Sequence, residues 1–147
     1  MWLDPVVTRH IGRGARITEG DVWARLLRYT GHWTLQGFGF FAVRQRTTGA
    51  FVGDVGFMDF RREMQPPLEA PECGWVLAAS AHGKGYATEA VTAVTAWADT
   101  LFPRTTCIID PDNEASIKVA AKCGFVAVRD AELAGNPVHV FERLRAG

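Results

Sequence analysis

The stretch Ser80-Ala81-His82-Gly83-Lys84-Gly85-Tyr86-Ala87-Thr88-Glu89-Ala90 has residue types at a spacing that could do chemistry. Its two glycines let the backbone turn tightly and let a ligand approach without meeting a Cβ. An apolar run, Trp75-Val76-Leu77-Ala78-Ala79, leads in, and a helical segment rich in alanine, valine and threonine leads out. The first turn of such a helix carries unpaired N–H groups and a partial positive charge, which together attract phosphate. A loop of this kind could hold the pyrophosphate of ATP, NAD or coenzyme A. Gly85 follows Gly83-Lys84 where a Walker-type loop needs Ser or Thr, which removes that reading.

The elements that must position this loop are legible from period and punctuation. Thr18-Glu19-Gly20-Asp21 is a capping box ahead of Val22, Trp23, Leu26 and Leu27, which share one helical face, so an amphipathic helix is expected over about 19–30. Before it, Gly12-Arg13-Gly14 is a turn with no apolar strand leading in. Phe38–Arg46 and Ala50–Phe60 read as an antiparallel hairpin around Thr47-Thr48-Gly49. Gly53 and Gly56, inside the second strand, suggest a bulge or close contact with a ligand. Arg61–Ala70 is a polar loop, and Pro71–Ala79 is a third strand. Ala87, Ala90, Val91, Val94, Ala98 and Leu101 then form a helical stripe that Pro103 ends. Thr105–Ile109 is a short buried strand, Asp110-Pro111-Asp112-Asn113 supplies an N-cap, and a helix runs to about Lys122 with Gly124 as its C′ residue. Phe125–Val128 and Val138–Leu144 close the chain as a hairpin around Gly135-Asn136. The order α-β-β-β-α-β-α-β-β is mixed α/β, and the lack of repeating βαβ units weakens a dinucleotide reading. Trp23, Trp33, Phe38 and Phe40 are expected in the core rather than in an acceptor pocket.

At 147 residues the chain is long enough for one domain with a real core. Sixteen basic residues balance sixteen acidic ones, which argues against a nucleic-acid binder relying on broad phosphate neutralisation. Cys73, Cys107 and Cys123 have no C-x-x-C spacing, and the four histidines lie far apart, so neither a disulfide framework nor a metal site is expected. No apolar run reaches the ~18 residues a membrane span needs. The opening Met1-Trp2-Leu3-Asp4-Pro5 is no secretory signal, so a cytoplasmic protein with no membrane partner is expected.

Four blocks in order carry a resemblance: Glu72-Cys73-Gly74-Trp75-Val76-Leu77, His82 to Ala90, Asn113-Glu114-Ala115-Ser116-Ile117, and Lys122-Cys123-Gly124-Phe125. Over roughly residues 1–144 the chain resembles the GNAT superfamily of acetyl-coenzyme A-dependent N-acetyltransferases, within it the branch typified by ribosomal-protein N-terminal acetyltransferases. The resemblance implies a GNAT fold: a central, mostly antiparallel sheet with a splayed parallel strand pair and helices on both faces. Pantetheine would lie in the splay, bonding like an added strand to backbone near Val76, Leu77 and Ala78. The N–H groups of Gly83, Lys84, Gly85, Tyr86, Ala87 and Thr88 would hold the pyrophosphate, Thr88 adding a hydroxyl. His82, standing where the family often has Arg or Gln, would lie on the pyrophosphate side. Asn113 would reach the pantetheine arm and Ser116 the thioester sulfur. The tyrosine that serves many members as general acid aligns with Ala120, and the Asn-x-x-Ser pattern of this branch suggests Ser116 instead. Relatives carry a further N-terminal strand and most of a helix before Trp2. The expectation is therefore a single GNAT domain over 1–147 without that strand and part of the first helix, or a sequence that starts downstream of the true N-terminus.

Acyl transfer to an amine needs a neutral nucleophile, an oriented thioester and a donor for the developing oxyanion. Freeing a lysine-like amine of its proton at pH 7 costs roughly 4.6 kcal/mol, an α-amino group only about 1.4 kcal/mol. Glu72 is the candidate base, with a backbone N–H near Val76 or Leu77 as oxyanion donor and Ser116 as donor to the departing thiolate. Cys73 has no histidine near it in sequence to activate it. The expected partners are acetyl-CoA and an amine acceptor, either a protein N-terminus or a small metabolite, handled by a monomer or homodimer without metal. The rival class is a coenzyme A-binding sensor or subunit without turnover, which the missing tyrosine favours.

Overall fold

The computed structural model describes residues 1–11 and 15–145; the expected Gly12-Arg13-Gly14 turn lies outside them. After a single-turn helix α1 (Pro5–Thr8) capped by Asp4, helix α2 runs over Glu19–Gln36. The capping box forms as expected: Asp21 N–H donates to the Thr18 hydroxyl, and Thr18 N–H donates to the Asp21 carboxylate at 2.8 Å. The helix continues two turns past the expected end, to Gly37 at φ 74°, whose N–H closes on Trp33 O. Buried His32 makes that extension possible. Asp59 N–H donates to its Nε2 at 2.8 Å, so the ring's proton sits on Nδ1 and goes to Phe38 O, tying the last turns to the strands beside them.

The apolar set on α2 points the other way from the expectation. Trp23, Leu26 and Leu27 are exposed, while Arg25, Tyr29, His32 and Trp33 turn inward. Aromatic contacts decide this: Tyr29 stacks on Phe40 with centroids 4.5 Å apart, and Trp33 donates through Nε1 to Phe40 O and packs edge-on to Phe41.

Strands β1 (Phe40–Arg44), β2 (Phe51–Met58), β3 (Glu72–Leu77), β4 (Arg104–Ile109), β5 (Val126–Leu133) and β6 (Asn136–Leu144) form one sheet in the order β1-β2-β3-β4-β6-β5. All pairs are antiparallel except β3 with β4. Gly53 and Gly56 serve strand packing rather than a ligand. A Cβ at Gly53 would strike Val76 O and one at Gly56 would strike Gly39 O, so both glycines let neighbouring backbones close in. The last hairpin turns at Ala134-Gly135, both with positive φ, one residue earlier than expected, and Asn136 opens β6.

Helix α3 (Tyr86–Ala98) lays Val91, Val94 and Ala98 on the sheet against Val55, Phe57, Cys73 and Leu77, all at most 7% exposed. Burying side chains of this size contributes roughly 1.5–3 kcal/mol each, which fixes where the start of α3 lies. Helix α4 (Glu114–Lys122) follows β4 and buries Ala120. Arg143 of β6 donates two hydrogen bonds to the Asp99 carboxylate and one to Cys123 O, clipping the ends of α3 and α4 to the sheet. The architecture is mixed α/β, with one parallel strand pair in a six-stranded and otherwise antiparallel sheet, as the resemblance implies. Among the described residues no helix is long and apolar enough to cross a membrane.

Candidate active site at the splay of two strands

β3 and β4 pair at a single register point, Glu72 with Thr106, next to a hydrogen bond from Thr106 N–H to Pro71 O. Beyond it each strand follows its antiparallel partner: β3 stays with β2 as far as Leu77, and β4 stays with β6 as far as Ile109. The space between them opens into a cavity of about 420 Å³. Gly74, Trp75 and Val76 form its β3 wall, Ile108, Ile109 and Asp110 its β4 wall, and Asn113 and Ser116 lie at the start of α4.

The glycine loop sits past the end of β3. A 3-10 turn, Ala79–Ala81, carries the chain out of the sheet, and the His82 ring closes back through Nε2 on Leu77 O at 2.9 Å. Gly83 and Gly85 adopt φ 71° and 82°, the left-handed region, with nothing within 4 Å of where a Cβ would stand. Gly85 is the N-cap of α3 and no side chain caps the helix. Its first-turn N–H groups are therefore presented by backbone alone. Lys84 is exposed, and Tyr86 accepts through its hydroxyl from Gln45 Nε2 at 3.0 Å.

The expected site residues fall into two groups. Glu72, Val76, Asn113 and Ser116 line the one cavity. His82, Gly83, Lys84, Gly85, Tyr86, Ala87 and Thr88 form the loop and the first turn of α3, and are not among the residues that wall it. Leu77 is buried in the core, and Ala78 N–H is donated to Val52 O at 2.9 Å, so this amide belongs to the sheet. Asn113 caps α4, its side-chain oxygen accepting from Ser116 N–H at 3.1 Å. Ala120 is fully buried among core residues.

Glu72 is 5% exposed. Arg62, from the polar loop, donates to both its oxygens, at 2.5 Å through Nε and 2.9 Å through Nη2. Burial pushes the carboxyl above its ordinary value, and Arg62 only partly draws it back. Cys73, next in sequence, is 2% exposed, and burial drives its thiol far up, so no thiolate forms there near neutral pH.

The end of the cavity beside α2 holds residues that the sequence patterns left out. Arg25, Arg28 and Tyr29 of α2 join Trp2, Phe60 and Arg62 in its lining. Arg25 stacks its guanidinium 3.7 Å above the Trp2 ring, whose Nε1 donates to Asp54 at 2.9 Å. Arg28 lies 4.5 Å above Phe60, and Arg62 is 5.9 Å from the same ring. Phe40, expected in the core, lines the cavity beneath Tyr29. The i, i+3, i+4 spacing of Arg25, Arg28 and Tyr29 was the available signal, hidden by the stronger apolar pattern on the opposite side of the helix.

Comparison with known proteins shows the family. The Acetyltransferase (GNAT) domain family matches residues 1–126. The uncharacterized protein YkkB of Bacillus subtilis (strain 168) is 31% identical over 109 residues, which cover 73% of this chain and 62% of YkkB. The chain therefore spans less than two thirds of the length of that curated relative. A Bordetella pertussis protein assigned to the GnaT-family acetyltransferases superposes with a TM-score of 0.80 at 28% identity, covering 97% of this chain and 87% of its own. An acetyltransferase from Agrobacterium tumefaciens str. C58 gives 0.77 at 25% identity, over 92% and 76%. The ribosomal-protein-S5-alanine acetyltransferase from Vibrio fischeri shares the fold at a TM-score of 0.68 and 24% identity, over 87% and 73%.

Proposed function

Because this chain belongs to the Acetyltransferase (GNAT) domain family, we propose that it transfers an acetyl group from acetyl-CoA to a primary amine by direct attack in a ternary complex. The observation that carries the reading is the splay itself. One cavity at the parallel β3–β4 seam brings together a buried carboxylate, an open strand edge and the Asn113–Ser116 start of α4.

In this reading acetyl-CoA is a substrate held largely by backbone. Gly83, Lys84, Gly85, Tyr86, Ala87 and Thr88 receive the pyrophosphate at the uncapped start of α3, with His82 on the same side. The arm runs along the edge near Val76, Leu77 and Ala78 toward Asn113. The Ala78 amide already belongs to the sheet, and Val76, two residues before it on β3, turns its amide the same way, so the Leu77 amide is the proposed donor to the developing oxyanion. Glu72 accepts the proton of the attacking amine. Its raised pKa makes it a stronger base than an exposed carboxylate, and each oxygen bonded to Arg62 keeps a second lone pair. The Ser116 hydroxyl donates to the departing thiolate. Positioning both substrates in line could lower the barrier by up to ~7–11 kcal/mol without a covalent intermediate. We place the chain in the ribosomal-protein N-terminal acetyltransferase-like branch and in the cytoplasm, where its three buried free thiols stay reduced.

A thiol-release assay with acetyl-CoA and a panel of amines tests the proposal. Glu72→Gln should lose rate while keeping cofactor affinity. Buried Ala120, where many relatives place a phenol, favours a second reading, a coenzyme A-binding module without turnover. Tight acetyl-CoA binding with no thiol released by any amine would select it.

A further inference from the structure

From the end of the cavity beside α2 we infer that the amine substrate carries an anionic group, a carboxylate or phosphonate a few bonds from its nitrogen, which Arg25 and Arg28 bind. The inference rests on the acetyl-transfer reading for the identity of the cavity, and adds the class of the acceptor.

Three guanidinium groups line one end of this cavity, on a chain with no formal net charge. Arg62 is committed to Glu72 by two hydrogen bonds. Among the described residues Arg25 and Arg28 form no salt bridge and are held by rings instead, Arg25 over Trp2 and Arg28 over Phe60. Ring stacking orients a guanidinium while leaving its in-plane N–H fork open for a planar oxyanion. Partial desolvation and the charges of Arg25 and Arg62 work against the charge on Arg28, while Asp21 and Asp54 act on Arg25, so Arg28 is the less compensated of the two. A second observation points the same way. The Tyr29 hydroxyl, on the same wall, is out of reach of solvent and has no hydrogen-bond partner. Burial keeps it a phenol; Arg25, beside it, can donate to its oxygen but cannot accept, so its own O–H is a donor without an acceptor. A ligand oxygen would satisfy it.

The acidic side of the cavity is also accounted for. Glu72 is neutralised by Arg62, Asp110 lies on the β4 wall, and Asp54 stands behind Trp2, whose indole it binds. A polycation would find Arg25 and Arg28 on the same wall of the cavity that it would have to enter.

The test uses the full chain saturated with coenzyme A or acetyl-CoA, and matched amines: an amino acid and its amide, an aminoalkyl phosphonate and its diester, and spermidine. Binding is read by tryptophan fluorescence, since Trp2 lines the pocket, and by calorimetry; turnover is read by thiol release. The anionic member of each pair should bind roughly ten- to one-hundred-fold tighter than its neutral partner. Arg28→Gln should bring the anionic member down to the level of the neutral one, Arg28→Lys should restore part of the preference, and coenzyme A affinity should hold in both. Arg28 is exposed on α2, so neither variant disturbs the core. Arg28-dependent binding of the anionic amines without turnover upholds the inference and overturns the acetyl-transfer reading. Turnover of neutral amines or spermidine in preference to the anionic ones overturns the inference and leaves that reading standing. No binding of any anionic amine overturns it as well.

Discussion

Between Ala79 and Thr88 the geometry belongs to the backbone: two left-handed glycines, a 3-10 turn and the uncapped start of α3, with only the His82 ring closing back on the strand. At the end of the cavity beside α2 the walls are side chains drawn from α2, β2, β3 and the loops beside them, held by ion pairs and stacked rings. The loop presents the same N–H groups whatever its exposed side chains are, so it suits a substrate that does not vary. The pocket changes its chemistry with each residue replaced. In the proposed reading, fixed recognition sits on main chain and adjustable recognition on side chains.

The contrast can be broken most sharply at Arg62. Removing it leaves a buried carboxylate without its partner, so Arg62→Ala should cost about 3 kcal/mol, read as a shift in denaturant midpoint. The pH dependence has a definite sign. Burial raises the Glu72 carboxyl and Arg62 opposes that, so the variant's folded-state pKa lies further above the ordinary 4.5. The stabilising contribution of protonated Glu72 is complete below 4.5 and is lost as pH rises through the elevated value. Thermal melts of Arg62→Ala should therefore fall with rising pH relative to the parent.

At the loop, only a change in the backbone should matter. Gly85→Val forces a β-branched residue to φ 82°, at a cost of about 1–2 kcal/mol, and should weaken acetyl-CoA binding at least about tenfold by calorimetry. Lys84→Ala at the neighbouring exposed position should change the same constant only a few-fold, and comparable losses in the two would erase the distinction drawn here. Asn113→Ala removes the cap of α4 and should lower stability by about 1 kcal/mol in chemical denaturation. Smallest in stability is Tyr29→Phe. Deleting a buried hydroxyl without a partner should leave the melting temperature unchanged or slightly higher, while reducing affinity for an anionic amine several-fold.

The same division explains what could be read from the sequence. The capping box at Thr18, the strands into and out of the glycine loop, the Asn113 cap and the closing hairpin are local patterns, and each formed where expected or within a few residues. β5 was read short because Arg129, Asp130 and Glu132 break the apolar run of an outermost strand. The pocket was not local. Arg25 and Arg28 look like a solvated helix face until Trp2 and Phe60, far off in sequence, supply rings beneath them. The Arg62–Glu72 pair likewise crosses ten residues of polar loop that carries no period. The inward turn of α2 was set by Tyr29 on Phe40 and by the two bonds of His32, against the apolar count on the other side.

One pairing point at Glu72 and Thr106 joins two antiparallel halves, β1-β2-β3 and β4-β6-β5. Such a sheet has an internal free edge, and opening along it requires little rupture of the ladder. Amides of Gly74 to Leu77 that face the gap should exchange with solvent faster than those of β2, by a local route rather than by global unfolding. A ligand laid along that edge would become a sheet member, and its binding energy would be felt by both halves at once. Deuterium uptake at the seam, measured before and after saturation with coenzyme A, would then report a merger of two cooperative units into one, a mechanical role for the bound molecule in addition to any chemical one.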